Sequence, residues 1–573
     1  MRKSVILLSI ILTFFATGVL AYISIATMLG PWIAPILVLV ASSMFKLARS
    51  KQSSEQTITN LVLIQTVGSV GGAAATAAGF TLPTLFFLDK VQFQTWMDTP
   101  IAFCSFIAVT CLAAGSFGIW LARAFADKLI IKEKLSFPVS HLIHKTITSQ
   151  TQSNQARNMF SGFFGTAFFC FLRDGFQLGS LHLKNLIPTK NIFVLQSLLG
   201  REFHIVIMPM LWAVGFIAGI KIAFPLLVGM ISRYLILTPL NLHSLYLPFK
   251  LFPVLDKQTL TMAFCSGMIL SEVIPGLLKY PGIMWDSIKN FSGYDYLTHL
   301  RSFRDIFNNK SIIDKIESFF KPKNTPPNSS PLDRFLTSLE ALFAFGLSIA
   351  LFSYFQFPIL AQLFILTLTV MATYQISMLS GKIGLVPYGR FVTFVMIPTM
   401  LIFKLNYFQI TLLCLFVGIC SAVATDLLFD YKIAELCNIS FQRIHRFQWL
   451  GLLATAAGLG FFFWLLITNL HLGTTELFGQ RGLTRSLMIQ SFNFDLTVVF
   501  LGFLFGYILK KIKISPSMAF GGILMPNNLT IGLVIGAIGS TLVKDKMEHF
   551  PMASGIFAGE TMWLIVSILA KMI

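Results

Sequence analysis

Long apolar stretches alternate with short polar or charged connections along the whole chain. Each stretch has about 20 residues, the length that a helix needs to cross the hydrocarbon core of a bilayer. This pattern predicts an all-α polytopic membrane protein. We expect about 16 (14–16) transmembrane segments, because the segments at 388–403 and 518–542 are short or interrupted by Gly and Pro. The predicted segments are 4–24, 30–48, 57–88, 99–127, 156–178, 203–219, 222–243, 258–280, 334–352, 358–380, 388–403, 408–429, 448–468, 494–509, 518–542 and 552–570.

The segment 281–333 is the one sizeable hydrophilic stretch, and its residues 321–330 have linker composition. It predicts two transmembrane halves, 1–280 and 334–573, joined by a cytoplasmic linker at 281–333. An internal repeat supports the two duplicated halves, because Ser-Gly-x-x-x-Ser-Glu at 266–272 recurs as Ser-Gly-x-x-x-Gly-Glu at 554–560. Sixteen segments would place the two copies in the same orientation, whereas fourteen would invert one of them.

The composition narrows the class of protein. Apolar residues make up 55% of the chain and charged residues only 12%, which excludes a soluble enzyme, a disordered chain and a nucleic-acid binder. The net charge of +19 comes mainly from connections on one side of the predicted membrane. By the positive-inside rule both termini are cytoplasmic, and we expect a multi-pass protein of the cell membrane.

Two carboxylates within predicted segments are the first candidates for chemistry. Glu272 follows the small-residue pair of Gly267 and Ser271, and Glu560 follows that of Gly555 and Gly559. Such pairs allow another helix to approach closely. An intramembrane carboxylate is costly, so each Glu either binds a proton or a substrate amine, or forms a structural ion pair with Lys or Arg. The sequence leaves both interpretations open.

The third predicted segment carries polar residues followed by a smooth face of small residues. Such a face either packs closely against other helices or lines a substrate path. Its polar candidates are Asn60 and Gln65, and its glycine candidates are Gly68, Gly71, Gly72 and Gly79. Further candidate polar residues within or beside segments are Arg233, Asp426 with Asp430 one helical turn later, Asn527, and the Arg173-Asp174 pair.

Several chemistries have no counterpart in the sequence. A Walker A motif is missing, as are HExxH, GxSxG and CxxC. The seven cysteines show neither metal-ligand spacing nor a disulfide pattern. We therefore expect no catalytic residues, no metal site and no cofactor.

Several segments, in order and spacing, resemble the oligopeptide transporter (OPT) superfamily, which includes the yellow-stripe-like metal-chelate transporters. The most similar is 553–560, Ala-Ser-Gly-Ile-Phe-Ala-Gly-Glu. The chain departs from the family at Val139-Ser140. It also lacks two motifs of the eukaryotic peptide branch, asparagine-proline-glycine and lysine-isoleucine-proline-proline-arginine. It is therefore most similar to prokaryotic members nearer the metal-chelate side. The other similar segments are 60–79, 135–138 with the helix after it, 215–239, 381–384 and 516–539.

The resemblance implies a secondary active, proton-coupled importer of small peptides or peptide-like metal chelates. Its partners would be the lipid bilayer and that substrate, without nucleic acid, and a homo-oligomer is left open. Protons would be the coupling ion, with Glu272 and Glu560 as first candidates and Asp426, Asp430 and Asp174 next. An intramembrane enzyme acting on lipid-linked substrates and a passive channel are the alternatives.

Overall fold

Helices make up most of the described residues in the computed structural model. It describes residues 3–26, 33–47, 54–135, 137–148, 153–178, 181–183, 186, 191–195, 203–237, 259–271, 274–275, 331–383, 388–474, 477–493, 495–525, 527–543 and 546–572. Each of the sixteen predicted segments contains a helix within these residues. Residues 281–330, nearly all of the predicted linker, lie outside them, so the division into two halves stays a prediction.

The helices fall into three stretches of the chain. The first stretch is α1 (Lys3–Ala26), α2 (Ala34–Leu47), α3 (Ser54–Thr81), α4 (Pro83–Leu88), α5 (Lys90–Met97), α6 (Pro100–Ala126) and α7 (Pro138–Thr148). The second is α8 (Ser153–Asp174), α9 (Pro209–Ala218), α10 (Ile220–Ser232) and α11 (Thr259–Ser271). The third is α12 (Pro331–Tyr354), α13 (Ile359–Ile383), α14 (Tyr388–Ile402), α15 (Tyr407–Leu436), α16 (Phe441–Leu470), α17 (Gln480–Ile489), α18 (Leu496–Lys511), α19 (Pro516–Leu524), α20 (Asn527–Leu542) and α21 (Lys546–Met572).

Two short β-hairpins follow α8, and the all-α prediction did not include them. In one hairpin β1 (Phe176–Leu178) pairs antiparallel with β2 (Leu181–Leu183). In the other, β3 (Asn191–Leu195) pairs antiparallel with β4 (Phe203–Val206). Both strands of the second hairpin are rich in β-branched and aromatic residues, which favour a pleated surface. The predicted helical segment 203–219 is therefore wrong at its start.

A first bundle forms around α3 and α15. Helices α1, α6 and α16 pack on these two, and α2, α12, α13 and α14 pack around them. Small residues allow the close approach, because a Cβ at Gly71 would collide with Thr13 and Thr17 of α1. Helix α15 starts at a capping box formed by Asn406 and Gln409 and is buried along nearly its full length. It therefore forms the centre of this bundle.

A second bundle combines α8 to α11 with α18 to α21. Helix α21 packs on α8 and α9, α20 packs on α9, and α19 packs on α10. Glycines let the backbones touch: a Cβ at Gly229 would collide with the Ala519 carbonyl, and one at Gly522 with the Leu226 carbonyl. Each bundle thus takes helices from both sides of the 281–333 segment.

The helices are broken at two places, between the predicted segments 203–219 and 222–243 and within the predicted segment 518–542. The chain bends by 113° between α9 and the helix that follows it, at Gly219, whose φ of 75° favours glycine. The segment 518–542 is divided into α19 and α20 around residue 526. Each break leaves backbone N–H and C=O groups without their helical hydrogen bonds. Within a membrane, such groups are tolerated only where they are buried in protein or line a water-filled cavity.

By helix length and composition, the described part of the chain contains fewer candidate spans than the sixteen predicted. Six helices of the described part are long and apolar enough to span a membrane, or seven if the bent pair is one span. Five shorter apolar helices accompany them. The chain is thus a helical membrane protein, and the count of sixteen spans is not confirmed.

Candidate functional site

Two buried carboxylates lie where α15 crosses α3 in the first bundle. Asp430 Oδ1 accepts a hydrogen bond of 2.8 Å from Gln65 Nε2, and its Oδ2 accepts one of 3.2 Å from Ser69 Oγ. Asp430 is 1% exposed. Gln65 and Ser69 are one helical turn apart on α3, so both donors reach the same carboxylate.

Asp426 lies one turn before Asp430 on the same face of α15. It is 7% exposed, and its Oδ2 is buried without a hydrogen-bond partner. Within the described residues, neither carboxylate forms an ion pair; the nearby Lys432 pairs with Glu435 instead, at 2.7 Å. Two neighbouring carboxylates without a cation cannot both carry charge cheaply in a site that excludes water. The arrangement is chemically suited to hold a proton.

A second polar network adjoins this pair. The Tyr431 hydroxyl lies 3.1 Å from His445 Nδ1, and His445 Nε2 lies 3.1 Å from Glu340 Oε2. Glu340 Oε2 also accepts from Arg123 at 3.3 Å, and its Oε1 accepts from Trp449 at 3.1 Å. The network joins α6, α12, α15 and α16, and the sequence analysis did not identify Glu340 or His445.

Glu560 lies in the second bundle and is held by an ion pair. Its Oε1 accepts from Arg173 Nη1 at 2.8 Å, and its Oε2 accepts from the Met210 N–H at 2.7 Å. Arg173 also donates two hydrogen bonds to the Asp174 carboxylate and one, of 2.8 Å, to the Ile207 carbonyl. Of the two interpretations left open by the sequence, these contacts favour the structural ion pair. The partner is one half of the Arg173-Asp174 pair that the sequence singled out.

The candidate glycines lie at close helix contacts. A Cβ at Gly555 would collide with the Met159 carbonyl and one at Gly559 with the Phe163 carbonyl, both on α8. A Cβ at Gly267 would collide with the Val499 carbonyl on α18. On α3, Gly68, Gly71, Gly72 and Gly79 face Leu37, Thr17, Leu20 and Ser24. These contacts favour close packing over pathway lining.

Four further candidates are the remaining polar residues. Asn60 is half-buried near the start of α3, and Arg233 is half-buried in a π-helical turn after α10. Asn527 donates a hydrogen bond to the Tyr234 hydroxyl. Glu272 lies outside the described residues, immediately after α11. Among the polar candidates, the structure therefore brings Gln65 into contact with Asp430, one turn after Asp426 on α15.

The interval 469–493, between two predicted segments, contains a buried helix that the sequence analysis treated as a connection. Helix α17 follows Gly479, whose φ of 68° permits the turn, and it carries Arg485, which is 5% exposed. A short helical pattern with Leu483 and Leu487 four residues apart is the signal that could have identified it. The polar residues of α17 are typical of an exposed helical face, so the burial of Arg485 was not predicted.

Comparison with known proteins agrees with the resemblance in the sequence. A search of curated proteins finds no match. A family model described as OPT oligopeptide transporter protein matches residues 4–571, which is nearly the whole chain. The chain therefore belongs to the OPT oligopeptide transporter family, a family of membrane transporters and not of enzymes.

Proposed function

We propose that this protein is a proton-coupled importer of small peptides or peptide-like metal chelates, and that Asp426 and Asp430 form its proton-coupling site. Family membership supports oligopeptide transport in general. The observation that carries the coupling site is a buried carboxylate pair that has hydrogen-bond donors but no cation among the described residues. Intramembrane carboxylates of this kind mark proton pathways in transporters.

The proposed step is a change of charge at the contact between α3 and α15. With one proton on the pair, the site carries a single negative charge, which Gln65 and Ser69 stabilise through their hydrogen bonds. Loss of that proton leaves two adjacent charges and raises the free energy of the closed contact. Proton binding would therefore bias the two helices toward one of two packings, and substrate binding would bias them in turn.

The driving force is adequate for this role. The membrane potential supplies about 2.3 kcal/mol for each elementary charge per 100 mV.

The proposal places the protein in the cell membrane with both termini and the 281–333 linker in the cytoplasm. Labelling of a Ser329→Cys variant from outside intact cells should then fail, and ready labelling would overturn this orientation. Transport of metal chelates rests on the resemblance alone, and the proposal leaves a homo-oligomer open.

Transport by the purified full chain in liposomes tests the proposal directly. We expect radiolabelled tetraalanine to accumulate above its equilibrium level when the outside is more acidic, and a protonophore should abolish that accumulation. Uptake that only reaches equilibrium under every gradient would favour a passive channel. Uptake above equilibrium that a protonophore leaves unchanged would overturn proton coupling. A peptide-like metal chelate tested in parallel distinguishes the two substrate classes.

A further inference from the structure

Arg485 is a buried cation for which the described part of the chain provides no carboxylate partner. It is 5% exposed, and its Nη1 donates to the Phe80 carbonyl at 3.3 Å. Its Nε is buried without a hydrogen-bond partner among the described residues. None of the ion pairs formed among those residues includes it. A buried guanidinium without a counter-ion is costly, so Arg485 is a candidate to bind an anion.

Cys414 of α15 lies near the Arg485 guanidinium. Elsewhere on α17 and on the neighbouring α4, Gln480 Oε1 and Thr84 Oγ1 are buried without hydrogen-bond partners among the described residues. Arg481, one turn before Arg485 on α17, places its guanidinium 5.4 Å from the centre of the Phe80 ring. The two arginines therefore share one helical face, and no acidic side chain lies within 4 Å of Arg485 in the described part of the chain.

Helix α17 lies between the two bundles. On one side it packs against α3 and α4, and a Cβ at Gly482 would collide with Pro83. On the other side the Leu487 carbonyl accepts a hydrogen bond of 3.2 Å from Ser266 of α11, and a Cβ at Gly521 of α19 would collide with Gln480. Transporters commonly bind substrate at the interface between their repeated or moving units, near the ends of broken helices.

We propose that the Arg485 guanidinium binds a carboxylate of the transported substrate. This inference rests on the proposed function, and it adds the substrate's charge and the binding residue. The guanidinium has a free donor, presents a planar fork that suits a carboxylate, and lies between the two bundles. A peptide with a free C-terminal carboxylate would balance the charge that the described residues leave without a counter-ion, and its C-terminal amide would not.

Competition between a peptide and its amide tests this assignment. In the wild type, tetraalanine should compete for uptake on the order of tenfold to a hundredfold better than its C-terminal amide, the range expected for a hydrogen bond to a charged group. In Arg485→Gln this preference should fall to about onefold, and Arg485→Lys should retain part of it because the charge remains but the fork does not. The exposed Arg443→Gln variant should keep the wild-type preference.

Equal use of acid and amide by a wild type that accumulates peptide would overturn the role of Arg485 and leave the proposed function intact. A wild type that accumulates no peptide would overturn the proposed function instead. Thermal unfolding of the detergent-purified full chain then tests whether Arg485 binds an anion. Acetate, succinate and chloride are compared at constant ionic strength. Carboxylates should raise Tm of the wild type and of Arg443→Gln but not of Arg485→Gln. Equal shifts of Tm in all three proteins would overturn the proposed anion site.

Discussion

Two buried carboxylate sites in this protein differ in how their charge is balanced. In the second bundle, Glu560 is paired with Arg173 at 2.8 Å and also accepts from a backbone N–H. In the first bundle, Asp430 accepts from two uncharged donors, while Asp426 Oδ2 has no partner among the described residues. Burial is similar at the two sites, so what distinguishes them in the described part of the chain is a paired cation at Glu560 and none at the two aspartates.

The difference separates a structural role from a proton-binding role. The ion pair with Arg173 favours the charged form of a carboxylate, because a proton would have to displace it. A carboxylate pair without a cation lowers its electrostatic energy by taking up a proton. Glu560 is therefore suited to a structural role in which it connects α8, α9 and α21. Asp426 and Asp430 are suited to a site whose charge changes during transport. Each of the predictions below tests one side of this contrast.

The largest effect is expected at the ion pair. Glu560→Gln should leave the Arg173 charge paired only with Asp174 and should destabilise the fold by about 3–5 kcal/mol. Little folded protein should remain in detergent, so substrate exchange and gradient-driven accumulation should fall together. Fluorescence-detected size-exclusion chromatography and proteoliposome assays would measure both losses. Normal folding with loss of accumulation alone would move the coupling role to Glu560.

Removal of both charges should be better tolerated than removal of one. An Arg173→Met, Glu560→Met double variant leaves no uncompensated buried charge, and Asp174 is 26% exposed and can be solvated. We expect the double variant to recover part of the stability lost in Glu560→Gln, although the Ile207 carbonyl and the Met210 N–H lose a partner. Thermal unfolding of the wild type, Arg173→Met, Glu560→Met and the double variant gives the coupling energy. A double variant no more stable than Glu560→Gln would contradict the structural interpretation.

The effect expected at the carboxylate pair is confined to coupling. Asp430→Asn keeps the shape of the side chain and one of its two accepting oxygens, and it removes the exchangeable charge. A pH gradient of one unit is worth about tenfold accumulation for each coupled proton, and this should fall to about onefold in the variant. Exchange of peptide across the membrane should persist. The exposed Asp98→Asn serves as the matched control, and full gradient-driven uptake by Asp430→Asn would exclude Asp430 as a coupling residue.

The sequence predicted the helices more accurately than the chemistry. Segment lengths and apolar content locate α1, α3, α6 and α15 closely because a bilayer-crossing helix must be long and apolar. Charge balance is not local: that Glu560 meets Arg173, far away in the sequence, depends on how α8 packs on α21. For the same reason Asp430 and Gln65 were singled out separately, and only the crossing of α3 and α15 brings them into contact.

The smallest effect is expected from one donor to the carboxylate pair. Ser69 donates to Asp430 over 3.2 Å, a longer hydrogen bond than the 2.8 Å from Gln65. In Ser69→Ala the carboxyl group can compensate by keeping its proton, so we expect a loss of only about 1 kcal/mol, the net value of an ordinary hydrogen bond. Buried Ser116, whose hydroxyl donates to the Ala113 carbonyl within its own helix, is the matched control as Ser116→Ala. Thermal unfolding and the accumulation ratio should both stay near wild type. A loss as large as that of Glu560→Gln would mean that Asp430 is permanently charged and depends on every donor it has, and the contrast between the two sites would fail.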